Sequence, residues 1–97
     1  MPDIENARIV ASDSVAMSEV DGGAALLDLE RNVYFSLNRT GAVVWKAIEE
    51  PTSLDDVCAA VATSFVVSVE KCRPDVAKLI DKLIGARLAR VVDAPAG

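Results

Sequence analysis

Hydrophobic and polar positions follow two different periods along this chain. Up to position 37 the period is close to two, the spacing of a strand with one buried face; beyond it the spacing is that of a helix. The segment 14–20 alternates weakly, with Val15 and Met17 on one side. Asp21-Gly22-Gly23 is a turn signal. Residues 24–29 follow, read with Ala25, Leu27 and Leu29 turned inward, which sets Asp28 on the outward side. Glu30-Arg31-Asn32 makes a polar break, and Asn32 suits a left-handed turn position. Residues 33–37 then turn Val33, Phe35 and Leu37 inward and Tyr34 and Ser36 outward. These segments predict a three-stranded antiparallel meander with two short connections.

The second half predicts three helices. Asn38 or Thr40 caps a helix that runs to about Glu49, with the stripe Gly41, Val44, Trp45 and Ile48, and Pro51 stops it. Ser53 with Asp56 resembles a capping box, and the helix behind it carries Leu54, Val57, Cys58, Val61, Ala62 and Phe65 on one face. Residues 66–69 form an apolar connection. A third helix is expected over 70–86, with Pro74 setting its regular part to begin between Arg73 and Asp75. Its stripe is Val76, Leu79, Ile80, Leu83 and Ile84, and Gly85 is its stop signal. Residues 88–92 form a short strand or cover the core.

Strands followed by helices give an α+β fold, winged helix-turn-helix-like, with a three-stranded antiparallel sheet followed by three helices. The expected core is Leu27, Leu29, Phe35, Leu37, Trp45, Ile48, Val61, Phe65, Leu79 and Leu83. Residues 13–92 form the domain, 1–12 an N-terminal arm and 93–97 a flexible tail. At 97 residues, 52% of them hydrophobic, the chain is one domain with enough apolar surface for a core.

Composition narrows the chemistry. There is no histidine, which removes the commonest general base and the commonest metal ligand. Cys58 and Cys72 stand apart; they suit a reduced cytoplasmic compartment, and Cys58 sits within a core stripe. No metal or cofactor site is expected, because no ligand cluster or Gly-rich phosphate loop is present. No signal peptide or membrane span is expected either. The net charge of −5 is uneven: residues 1–70 balance at −8, whereas 71–90 balance at +4 through Lys71, Arg73, Lys78, Lys82, Arg87 and Arg90. That segment is either a solvated helix face or an attractive surface for an acidic peptide. DNA binding, common among winged helices, fits poorly, since the 53–65 helix carries Asp55 and Asp56 and no basic residue.

A peptide partner fits better. The strand 33–37 forms an edge of the meander without Pro, Lys or an inward charge to protect it. An extended peptide can add there as a further strand, with Lys78 and Lys82 nearby. The bland counterpart is an edge covered by the N-terminal arm or by a second copy of the chain.

Several segments together carry a resemblance. They are Leu26-Leu27-Asp28-Leu29, then Val33-Tyr34-Phe35-Ser36-Leu37-Asn38, then Thr40-Gly41-Ala42-Val43-Val44-Trp45. Ser53-Leu54-Asp55-Asp56-Val57 and the helix with Asp75, Val76, Leu79, Ile80 and Leu83 complete the set. Over residues 13–92 the chain is similar to the PqqD-like family of recognition elements for leader peptides of ribosomally made, modified peptides. Pro74 and the connection 66–69 depart from the family's usual pattern. The resemblance implies a non-catalytic adaptor without cofactor. It would present a precursor peptide to a separate leader peptidase or other modifying enzyme, with no nucleic acid or membrane involved. The strand and helix segments look more like the stand-alone branch of lasso-peptide biosynthesis than like the pyrroloquinoline quinone branch, where the family member acts as chaperone of the quinone's precursor. A winged-helix DNA-binding regulator or a homodimeric assembly domain is the competing class. Carried over by residue, the implied peptide site is the strand Val33, Tyr34, Phe35, Ser36 and Leu37, and the helix positions Asp75, Val76, Lys78, Leu79, Lys82 and Leu83.

Overall fold

A computed structural model describes residues 7–92. The expected meander is present as β2 (Val15–Val20), β3 (Gly23–Asp28) and β4 (Val33–Leu37), antiparallel and in the order β2-β3-β4. The β2–β3 turn needs both its glycines. Gly22 takes φ +75°, and a Cβ on Gly23 would strike the carbonyl of Leu37. Helix α1 (Arg39–Ala47) follows, with the Asn38 side chain accepting from the Gly41 N–H at 2.8 Å. Helix α2 (Leu54–Phe65) starts on Ser53, whose hydroxyl accepts from the Asp56 N–H.

A second antiparallel sheet was not expected in full. It has the order β5-β1-β6, built from β1 (Arg8–Ala11), β5 (Thr52–Ser53) and β6 (Ala89–Val92). Residues 8–11, assigned by sequence to an arm, therefore form its central strand, with Ile9 fully buried. The run Arg-Ile-Val-Ala is too short to show a period, so only its pairing partners reveal it. Residues 1–6 of the expected arm and the expected tail 93–97 lie outside the described residues.

The core reverses one face of β3. Ala24, Leu26 and Asp28 are buried, whereas Leu27 is exposed and Leu29 is 64% exposed. The register explains this: Ala24, Leu26 and Asp28 lie opposite Leu37, Phe35 and Val33, so all six side chains share the inner face. Ala24-Ala25-Leu26-Leu27 is apolar on both faces, and the only polar residue nearby sits inside. Asp28 is enclosed because it is satisfied. Its carboxylate accepts from the Ser14 hydroxyl, the Glu30 and Arg31 N–H groups and the Arg31 guanidinium, at 3.0 to 3.3 Å. Val44, Trp45, Ile48, Val57, Val61, Val76, Ile80 and Leu83 are among the residues that complete the core, while Phe65 and Leu79 are only partly buried.

Helix α3 (Val69–Gly85) begins earlier than Pro74 suggested. The Ser68 hydroxyl accepts from the Lys71 N–H and starts the helix; Pro74 lies inside it. Proline removes one donor, the one that would reach the carbonyl of Glu70, so the lost bond falls at an exposed residue in the first turn of the helix. Gly85 is helical and does not stop α3. Arg87 does, at φ 63°, in a paired-bond terminus in which Leu88 N–H reaches Leu83 O and Arg87 N–H reaches Ile84 O. The α2–α3 connection closes in a related way, with Val66 at φ 53° and Val67 N–H bonding to Ala62 O.

Candidate functional site

The hydrogen-bond alternation in the meander decides which backbone groups of β4 are free. The Leu29 N–H donates to Ser14 O at 2.9 Å. Bonded pairs alternate in an antiparallel ladder, so Ala16 with Leu27 and Ser18 with Ala25 exchange bonds between β2 and β3. Ala24, Leu26 and Asp28 are then left to bond Leu37, Phe35 and Val33. It follows that the N–H and C=O groups of Tyr34 and Ser36 point away from the sheet. No strand among the described residues pairs with that side, and β1 is engaged in the other sheet.

The same strand has two unlike faces. Val33 and Phe35 are partly buried and Leu37 is buried on the inner face, whereas Tyr34 is 67% exposed and Ser36 is exposed on the outer face. The strand's apolar half is anchored in the core, and no strand among the described residues covers its bonding edge.

Beyond the end of β4, a groove runs between the start of α1 and helix α3. One section, about 220 Å³, is lined by Asn38, Thr40, Gly41, Asp75 and Leu79. A second section of about 210 Å³ is lined by the apolar Val61, Phe65, Val67 and Cys72 together with Thr40, Lys71 and Asp75. The two sections share Thr40 and Asp75, which makes them continuous. Gly41 lets α1 lie close to the preceding strand, since a Cβ there would stand 3.0 Å from the Leu37 side chain.

The structure brings together Asp75 and Leu79 of the implied helix positions, both on the groove. Lys78 and Lys82 are exposed on the same flank of α3. Val76 (1% exposed) and Leu83 (0%) face the core and support the groove wall from behind. Asn38, Thr40, Phe65, Val67 and Lys71 line the groove without having been singled out for it. Asn38 and Thr40 carried only a capping signal, and Phe65 read as core. The connection 66–69 looked like an apolar link with no partner.

Electrostatics are mild around this groove. Arg73 pairs with Asp55 at 2.6 Å and ties α3 to α2. At the far end of the hairpin, Lys46 and Glu19 form an exposed pair at 2.6 Å; hydrogen bonding and charge attraction between them push the Glu19 carboxyl down and the Lys46 amine up. Burial pushes the Cys58 thiol up. Among the described residues no group of three His, Cys, Asp or Glu could hold a metal ion, and no helix is long and apolar enough to cross a membrane.

Known proteins share the family and the fold of this chain. The model of the family described as coenzyme PQQ synthesis protein D (PqqD) matches residues 23–89. None of the curated proteins matches the chain. Among solved structures, TbiB1 in complex with the TbiA(beta) leader peptide is similar at a TM-score of 0.73 and 23% identity, covering 84% of this chain and 94% of that one. Lasso peptide synthetase B1 complexed with the leader peptide is similar at a TM-score of 0.70 and 23% identity, covering 84% and 96%.

Proposed function

The chain belongs to the PqqD family, and from that premise we propose that it is a non-catalytic adaptor that captures the leader of a precursor peptide by strand addition to β4. The captured peptide is presented to a separate peptidase or modifying enzyme. The observation that carries this reading is the outer side of β4, where no strand among the described residues pairs with the backbone groups of Tyr34 and Ser36. Both similar structures are complexes with a leader peptide, and one of them is described as a lasso peptide synthetase B1, which supports the lasso branch.

The peptide site consists of Val33, Tyr34, Phe35, Ser36 and Leu37 on the strand and Asp75, Lys78, Leu79 and Lys82 on the helix, with Val76 and Leu83 holding the helix in place. Backbone pairing supplies affinity and the groove supplies selectivity. Tethering then raises the local concentration of the substrate for the partner enzyme. Two buried, unpaired cysteines suit a cytoplasmic setting. A second reading, delivery of a quinone-cofactor precursor, is favoured by the description of the matched family.

Calorimetry with lasso-type and quinone-type leader peptides tests both. The fitting leader binds the native chain, and Tyr34→Pro and Ser36→Pro each weaken it at least about tenfold, by removing an outward N–H that the sheet itself does not use. Full binding in both proline variants, with melting intact, rules out strand addition.

A further inference from the structure

We propose that the hollow bounded by Arg31, Arg87 and Arg90 is a second docking site, and that it takes an acidic segment of the enzyme that works on the delivered peptide. The proposal rests on the adaptor reading and adds the surface that the second molecule uses. The hollow measures about 400 Å³ and opens between the β3–β4 turn, the end of α3 and β6, with Ile84 and Val91 as its apolar floor.

Three observations converge. The first is charge. The chain carries −5 overall, yet three of the seven residues lining this hollow are arginines. Arg31 touches Asp28 at 3.3 Å, but that carboxylate is already enclosed by three other donors. Among the described residues no salt bridge engages Arg87 or Arg90. Guanidinium forks over an apolar floor fit carboxylates on a short extended segment.

The second is backbone strain. Arg87 holds φ 63° at the helix terminus, a position where glycine is the favoured residue. The Ser12 hydroxyl donates to its carbonyl at 3.1 Å and helps to hold it there. Unlike Val66, which holds the same conformation but lines neither the groove nor this hollow, Arg87 combines it with a place on the wall of the hollow, so the strained position presents a cationic side chain there.

The third is placement. Leu79 lines the peptide groove and Ile84 lines the hollow. Five helical positions separate them by about 140° around α3. The two sites therefore occupy different flanks, and both can be filled at once, as an adaptor requires.

The test is a two-dimensional amide NMR titration of the full chain with a capped Glu-rich peptide and with its Gln counterpart. The Glu peptide shifts the amides of Ser12, Arg31 and residues 84–91 saturably and leaves Tyr34 and Ser36 in place; the Gln peptide shifts neither. Arg87→Gly combined with Arg90→Gln weakens the Glu peptide about tenfold, and added salt weakens it further. Arg87→Gly alone raises the melting temperature while lowering the affinity, a split that a purely structural arginine does not give. Shifts confined to the Lys78–Lys82 flank, no shifts, or an Arg87→Gly variant with unchanged affinity overturns the proposal. Duplex DNA that perturbs the same amides more strongly than the Glu peptide at equal salt also overturns it, in favour of a nucleic acid. The β4 proline variants keep the hollow, so a failure of leader capture is read separately from a failure here.

Discussion

The Ser14 hydroxyl donates to Oδ1 of Asp28 at 3.0 Å, joining the residue before β2 to the last residue of β3. This bond helps to place a carboxylate in the inner layer of the meander. The Asp28 acid group feels burial first, which pushes its pKa up, but the Glu30 N–H, the Ser14 hydroxyl and Arg31 outweigh burial and hold it below the ordinary 3.8. A depressed value means that the carboxylate stabilises the fold above 3.8 and ceases to do so as pH falls through its lower folded value. Asp28→Ala lowers the melting temperature most, Asp28→Asn less and Ser14→Ala least. Asp28→Asn also removes part of the acid sensitivity. Melting curves recorded as the pH is lowered past 3.8 check both, and a variant with the same acid profile as the native chain removes Asp28 from the explanation.

Much of the fold was legible because its signals were local. The Asn38, Ser53 and Gly22-Gly23 punctuation and the stripes through Trp45 and Val61 each announce their element within a few residues. Asp28 and Ile9 were misread because their burial depends on partners far along the chain. A two-residue period marks two faces and does not say which is inside when leucines occupy both. The candidate site divided the same way. The edge strand was readable from the meander. The groove between α1 and α3 arises only when Thr40, Phe65 and Asp75 meet in space.

Two substitutions in opposite directions should both stabilise the chain. Val66 is 92% exposed and holds a left-handed conformation that a β-branched side chain resists. Val66→Gly should therefore add about 1 kcal/mol. Gly85 sits within α3 at an ordinary helical conformation, and a Cβ there meets nothing within 4 Å. Gly85→Ala should add about 0.5–1 kcal/mol. The sites are far apart in sequence and share no contacts, so chemical denaturation should show the effects adding in the double variant.

Lys78 and Lys82 test the charge of the groove wall. Lys78→Glu with Lys82→Glu, both exposed, should leave melting unchanged and weaken an acidic leader about tenfold at low salt. The difference should shrink as salt rises. Equal calorimetric affinity for the native and doubly reversed chains assigns selectivity to the apolar lining alone.

The thiols should be silent in the folded state. Cys58 and Cys72 are buried, with Cys72 Sγ 3.6 Å from the Cys58 carbonyl oxygen. Burial raises the Cys58 pKa and keeps its thiol protonated. A thiol reagent at neutral pH should label the chain only as fast as it opens. Prompt labelling of Cys58 in the folded protein contradicts the packing of α2 against α3.

The pairing of β1 with β6 sets Arg8 directly across from Val92. The polypeptide therefore enters and leaves the domain through a single doorway, on the sheet that does not include β4. A tether attached before Arg8 or after Val92 leaves from the same place, so the two fusion orders hold an attached enzyme at one common anchor point. Switching a fused partner from one end to the other should then change linker chemistry while leaving its reach to the captured peptide nearly the same.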